Sequence, residues 1–175
     1  MDWSHLSTYD IIIGYYLGLE SRVAILGKSG KKEIYMGYKT LLTKRVEFSA
    51  SHRYWNPKWN EEANKAVFGK CISPYGHGHN YVLEVTVEGT VDTDTGMIIN
   101  IYGLKPLINE VLKDFDHKFL NEDNPYFKDL IPTTENIARV LWDLIEKKLK
   151  ETTDCKLYRI RLYETPDLFV DYWRE

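Results

Sequence analysis

FSASHRYWNPKWNEEANKAVFGKCISPYGHGHNY, residues 48–81, decides how this chain is read. The stretch holds three of the chain's five histidines, His52, His77 and His79, and one of its two cysteines, Cys71. In an extended strand alternate side chains share a face, so His77 and His79 project together, with Gly78 between them expected to leave room for a close ligand. On a helix the same pair would diverge by about 200°. Residues 80–87 are β-branched and aromatic with Glu84 and Thr86 on one parity, which places the pair at the start of a strand. A His-x-His pair on a strand is half of a metal site. His52, following the strand-like residues 45–51, is the candidate for the rest.

Three neutral imidazoles that leave a position open are a common catalytic zinc arrangement, whereas structural zinc usually takes four ligands rich in cysteine. With only Cys71 and Cys155 in the chain, a cysteine-rich structural site cannot be built. Cys71 is either a fourth ligand or a separate reactive thiolate.

Working outward, 175 residues that are 43% hydrophobic and 28% charged read as one globular domain with a real core. A net charge of -3 with dispersed Lys and Arg gives no basic footprint for nucleic acid. Two distant cysteines make no disulfide framework, which points to a reducing cytoplasm. The longest apolar run, residues 11–19, is too short to span a membrane. Asp2 and Asp10 precede it where a signal peptide would be basic, so it reads as strand material. Gly27-Lys28-Ser29-Gly30-Lys31-Lys32 reads as a turn before a short strand at 33–36; the first glycine of a phosphate loop is missing and no helix pattern follows.

Residues 60–69 carry an Asn cap, acids in the first turn and a closing glycine, a short helix that would return Cys71 toward the histidines. Residues 89–96 read as a turn region. Leu104, Leu107, Ile108, Val111, Leu112 and Phe115 form one helical stripe, with Pro106 assigned to its first turn. Ile137, Val140, Leu141, Leu144 and Ile145 form a second, opened by Thr134-Glu135 and closed by lysines that suit the helix dipole. Residues 116–132 read as loop, and two last strands, 157–164 and 168–173, are joined by a tight turn. The order strand, strand, helix, helix, strand, strand predicts an α+β layer: an antiparallel four-stranded sheet with two helices on one face. Glu164 shares parity with Tyr158, Ile160 and Leu162, the apolar face of its strand, where a carboxylate needs a polar partner.

Residues 48–81, together with Phe115-Asp116-His117-Lys118, Thr133-Thr134-Glu135-Asn136 and Tyr163-Glu164-Thr165, resemble the 6-pyruvoyl-tetrahydropterin synthase family, which includes the 6-carboxytetrahydropterin synthases of queuosine biosynthesis. The resemblance covers residues 43–175; residues 1–42 stand as an N-terminal extension of unknown role. It implies the tunnelling fold (T-fold), in which sheets join into an oligomeric barrel and two trimers stack into a homohexamer with active sites between subunits. It implies Zn2+ on His52, His77 and His79, and a catalytic set of Cys71, Asp116 and His117, the last two donated by an adjacent subunit. Glu164 would anchor the pterin, and Thr133, Thr134 and Glu135 would line its pocket. The implied substrate is 7,8-dihydroneopterin triphosphate, with zinc as Lewis acid, Cys71 as base and a proton relay through His117 oriented by Asp116. Five residues between Cys71 and His77 resemble the tetrahydrobiopterin-type lyases more than the queuosine type, which commonly has fewer. A catalytically inactive zinc- or pterin-binding protein is the third reading, disfavoured because a pure binder needs no relay.

Overall fold

A computed structural model of the protein describes residues 39–175. The strand and turn readings at 11–19, 27–32 and 33–36 lie outside the described residues. β1 (Thr40–His52) and β2 (His77–Gly89) form a long antiparallel pair, and β2 pairs with β4 (Lys156–Thr165), which pairs with β5 (Leu168–Tyr172). Those four strands are the expected sheet. A fifth was not legible: β3 (Lys118–Phe119) lies parallel to β1 and makes the order β3-β1-β2-β4-β5. Its cause is side-chain chemistry in the supposed loop. Asp116 Oδ1 accepts from the Ser49 N–H at 2.9 Å and the His117 N–H donates to the Ser49 carbonyl at 2.6 Å, docking the segment on the edge of β1.

Helix α1 (Glu61–Phe68) is capped by Asn60, whose side chain accepts from the Ala63 N–H. Buried Asn64 ties α1 to the preceding loop, its amide donating to the carbonyls of Asn56, Trp59 and Asn60. Helix α2 (Ile101–Leu112) starts earlier than its apolar stripe because Asn100 caps it through the Tyr102 N–H at 2.9 Å. Pro106 therefore sits inside the helix, not in its first turn. The ring removes a donor to the carbonyl of Tyr102, a residue 85% exposed, where water can substitute. After β3 come one helical turn, α3 (Leu120–Asp123), and then α4 (Thr134–Thr152), capped by Thr133.

The core lies between one face of the sheet, with Phe48, Tyr81, Leu83, Val85, Ile160 and Leu162, and the apolar stripes of α2 and α4. The helix-free face is polar: Arg45 lies opposite Glu84, Glu84 opposite Arg161, and Arg161 makes a two-point ion pair with Asp171. A register shift in the β2–β4 ladder leaves Tyr158 without a partner residue and reverses the alternation there. Tyr158 is consequently exposed, while Ile160 and Leu162 face the core as expected. Among the described residues no helix is long and apolar enough to cross a membrane.

Phe115, just past α2, is fully buried between Phe48 and Phe127. Phe115→Ala is expected to cost about 3–5 kcal/mol in urea unfolding. Tyr102→Ala on the exposed side of α2 should stay within about 0.5 kcal/mol. Equal losses would mean that the apolar stripe does not face the core.

Candidate functional site: a histidine–carboxylate centre

The β1–β2 register sets His52 directly opposite His77, and Ala50 opposite His79. All three imidazoles therefore leave the helix-covered face of the sheet at the same end. Gly78, by the same alternation, points away from them, so it leaves no room at the centre; a Cβ there would meet the Ala50 carbonyl at 3.4 Å. The glycine with a structural duty is Gly76. It turns the chain into β2 at φ 68°, and a Cβ would lie 2.9 Å from the His52 carbonyl oxygen.

His52 is fully buried. Its Nδ1 is 2.9 Å from the Pro132 carbonyl, which can only accept, so Nδ1 carries the proton and Nε2 presents a bare lone pair. The Tyr81 hydroxyl also contacts Nδ1, at 3.0 Å. Nε2 of His52 lies 3.1 Å from Nε2 of His77. Burial pushes the imidazole down to about 4, and it lowers His77 as well, with the neighbouring His79 next in effect. Both rings are thus held in the neutral form that a metal requires.

Glu164, at the end of β4, completes the cluster. Its Oε1 lies 3.1 Å from His79 Nε2 and 3.7 Å from His52 Nε2. The four donor atoms all fall within 4.8 Å of one another. A tetrahedral metal with bonds of about 2.0–2.2 Å holds its donors roughly 3.3–3.6 Å apart, so the set fits. His79 Nε2 adds to this: it is buried and, although 3.1 Å from Glu164 Oε1, makes no hydrogen bond to it. Such an atom costs stability unless something binds it. The Glu164 Oε2 atom accepts the Thr134 hydroxyl, which leaves Oε1 as the oxygen next to the imidazoles.

Cys71 is half-buried in a 3-10 turn (Gly69–Ile72) after α1. Tyr54, two residues beyond His52, donates its backbone N–H to the Cys71 carbonyl at 2.9 Å, and the Arg53 Nε bonds to the Ile72 carbonyl at 2.9 Å. The expected return of Cys71 toward the histidines is therefore made by a backbone clamp. Burial and then the Glu164 carboxylate push the thiol up. Thr133 serves as the α4 cap and Glu135 stands in its first turn. Cys155 lies elsewhere, buried with its Sγ on the Ile98 carbonyl.

Asp116 and His117 do not join the cluster within one chain. Their side chains are 42% and 82% exposed, and the Asp116 carboxylate, 3.0 Å from His117 Nδ1, is held below its ordinary range chiefly by the Ser49 N–H. His117, at φ 58°, borders a cleft with Ser49, Ser51, Gly78 and Asn80, and also with Ala50 and His79. Tyr54 is the residue the sequence reading missed. Its ring packs on His52 with centroids 4.9 Å apart, and burial pushes its phenol up to about 12. Nothing in the spacing marks it.

An α+β sheet carrying neutral imidazoles and a carboxylate at one end holds a candidate metal centre, and comparison with known proteins places it in the T-fold class. The chain belongs to the 6-pyruvoyl tetrahydropterin synthase family, whose model matches residues 41–175. It is 46% identical over 132 residues to a 6-pyruvoyl tetrahydrobiopterin synthase of Poecilia reticulata, covering 75% of this chain and 88% of that one. The human protein of the same name is 43% identical over 132 residues, covering 75% of this chain and 89% of its own. The solved 6-pyruvoyl tetrahydropterin synthase of Caenorhabditis elegans superposes with a TM-score of 0.73 at 33% identity, over 81% of this chain and all (100%) of that one.

The pH response of the metal-free protein follows from His52. Unfolded, it takes its proton near 6.5; folded, only near 4. The unfolded state holds more protons between those values, so the stabilisation present above 6.5 is lost as pH falls toward 4. The slope for one such group reaches about 1.4 kcal/mol per pH unit. Urea midpoints across this window should fall steeply for the wild type and less for His52→Gln. Parallel slopes would remove His52 as the sensitive group.

Proposed function

We propose that this chain is a 6-pyruvoyl-tetrahydropterin synthase, a lyase that eliminates triphosphate from 7,8-dihydroneopterin triphosphate with an internal redox rearrangement. The observation that carries it is the meeting of His52, His77, His79 and Glu164 at the sheet end, with Cys71 clamped beside them, in a chain 43% and 46% identical to synthases of that name.

His52, His77 and His79 hold Zn2+, and Glu164 is either its fourth neighbour or the anchor of the pterin's amino and ring N–H groups. The zinc, when bound, supplies Lewis-acid polarisation of the substrate's side-chain oxygens. Cys71 removes the carbon-bound proton. Its thiol is held high by burial and by Glu164, so it would work as a thiolate only beside positive charge, which a divalent metal on the neutral imidazoles would supply. Thr134 orients Glu164 by donating to Oε2, and Thr133 and Glu135 line the pterin pocket at the start of α4. Asp116 fixes the His117 ring through Nδ1. Because His117 is exposed and stands outside its own chain's cluster, it serves the centre of a neighbouring subunit in a homohexamer. Two free cysteines suit a reducing cytoplasm.

Incubating the zinc-loaded protein with 7,8-dihydroneopterin triphosphate and identifying the product by mass tests this reading. The pyruvoyl pterin and free triphosphate are expected; the 6-carboxy pterin with acetaldehyde would transfer the chain to the queuosine-type activity, and no turnover would leave only a binder. His77→Ala should lose stoichiometric zinc after dialysis, and light scattering should give a hexamer. Cys71→Ala should keep fold and zinc while turnover falls by a factor on the order of 100 to 10,000. Cys155→Ala, remote from the centre, should stay active, and equal turnover of the two variants would sink the assignment of the base.

A further inference from the structure

Cys71 sits on a part of the chain that the core does not hold. Helix α1 buries only Asn64, and the 3-10 turn Gly69–Ile72 that carries the thiol buries no residue. A segment with so little buried surface opens readily unless particular bonds close it. Phe68 supplies one ring contact, edge-on to Tyr54 at 5.8 Å. The polar bonds come from the two residues that follow β1. The Tyr54 N–H donates to the Cys71 carbonyl at 2.9 Å, and Arg53 Nε donates to the Ile72 carbonyl, also at 2.9 Å. The first bond uses backbone that nearly any residue brings; the second needs an arginine.

Arg53 is itself braced on two sides. Asn121, in α3, takes both of its backbone groups: Oδ1 accepts from the Arg53 N–H at 2.7 Å, and Nδ2 donates to the Arg53 carbonyl at 2.9 Å. The two bonds together fix which way the Asn121 amide points. The guanidinium lies over the Trp55 ring, 4.3 Å from its centroid. A planar group stacked on a ring, with Nε committed to a carbonyl, is rigid in a way a lysine ammonium is not. Arg53 follows His52 directly, so it is a stiff link from the histidine end of β1 to the turn that bears the thiol.

We propose that Arg53 is a positioning residue for Cys71, setting the thiol against the histidine centre through the shape of its guanidinium rather than through its charge. This rests on the function proposed above, in which Cys71 removes the carbon-bound proton. Proton removal demands close placement, and a misplacement of about 1 Å costs on the order of 100-fold in rate. Such a loss falls on kcat, whereas a cation that merely held the triphosphate would show itself in KM. Lysine keeps the charge and gives up both the stack and the Nε–H.

The experiment compares Arg53→Met and Arg53→Lys with wild type, each as the zinc-loaded full chain, by turnover of 7,8-dihydroneopterin triphosphate and by alkylation with iodoacetamide. Peptide mass separates Cys71 from Cys155. Both variants are expected to keep zinc, to lose about 100-fold in kcat, and to hold KM within about twofold. Alkylation of Cys71 should quicken about tenfold in both, the scale of one lost hydrogen bond on a half-buried thiol reached through the opened turn. On a Cys71→Ala background Arg53→Met should cost nothing further, because it then has no thiol to place. Alkylation at the wild-type rate overturns the proposal, as does a raised KM with kcat unchanged, activity restored by lysine, or an added loss on the Cys71→Ala background. Loss of zinc or fold in both variants overturns it too, since Arg53 would then be a structural residue. Wild type that does not turn over the triphosphate ends the assigned activity, and the alkylation comparison still decides whether Arg53 holds Cys71.

Discussion

The centre depends on the antiparallel register of β1 with β2. His52 opposite His77 and Ala50 opposite His79 put three imidazoles on one face at one end of the sheet. A slip of one residue would send the β2 histidines to the other face and bring Gly78 and Asn80 inward. That register is held over 13 residues of each strand by Phe48, Tyr81, Leu83 and Val85 in the core, so a local, polar site is positioned by a distributed, apolar constraint. The Phe48 and Tyr81 rings, stacked 5.1 Å apart one pair below the histidines, tie the two most directly.

Burial then gives the histidines their chemistry. Three basic rings brought together out of water cannot all charge, and desolvation holds His52 and His77 neutral. The same burial works against Cys71, whose thiol it raises, and the Glu164 carboxylate adds to that. A centre of neutral donors and one carboxylate, beside a thiol held protonated, is short of positive charge. A divalent cation fits that deficit better than a proton does, because a proton would have to charge a buried ring.

The remaining site residues divide between the two faces of the sheet. Thr134 and Glu164 stand with the imidazoles, whereas Asp116 and His117 are fastened to the edge of β1 and turned outward through Ser49. The geometry that docks them also makes β3, so the exposed pair belongs to the architecture of the sheet edge. Proteins commonly cover such edges.

Periodicity and punctuation made the helix layer, the four long strands and the His-x-His face legible in the sequence, because alternation and 3.6-residue stripes are local properties. The Asn60 cap and the Thr165–Asp167 turn were readable for the same reason. The β3 pairing, the interior place of Pro106 and the bulge at Tyr158 were not, since each is set by one side chain or one ladder contact with a distant strand. The sequence by itself determined which residues are chemically able to bind a metal and move a proton, through their identity and spacing. Only the tertiary structure decided that Glu164 joins the imidazoles and accepts from Thr134, and that Asp116 and His117 stay outside the cluster. Those relations join β1, β4 and the start of α4, segments far apart in the sequence, and they exist only once the core has fixed how the strands lie.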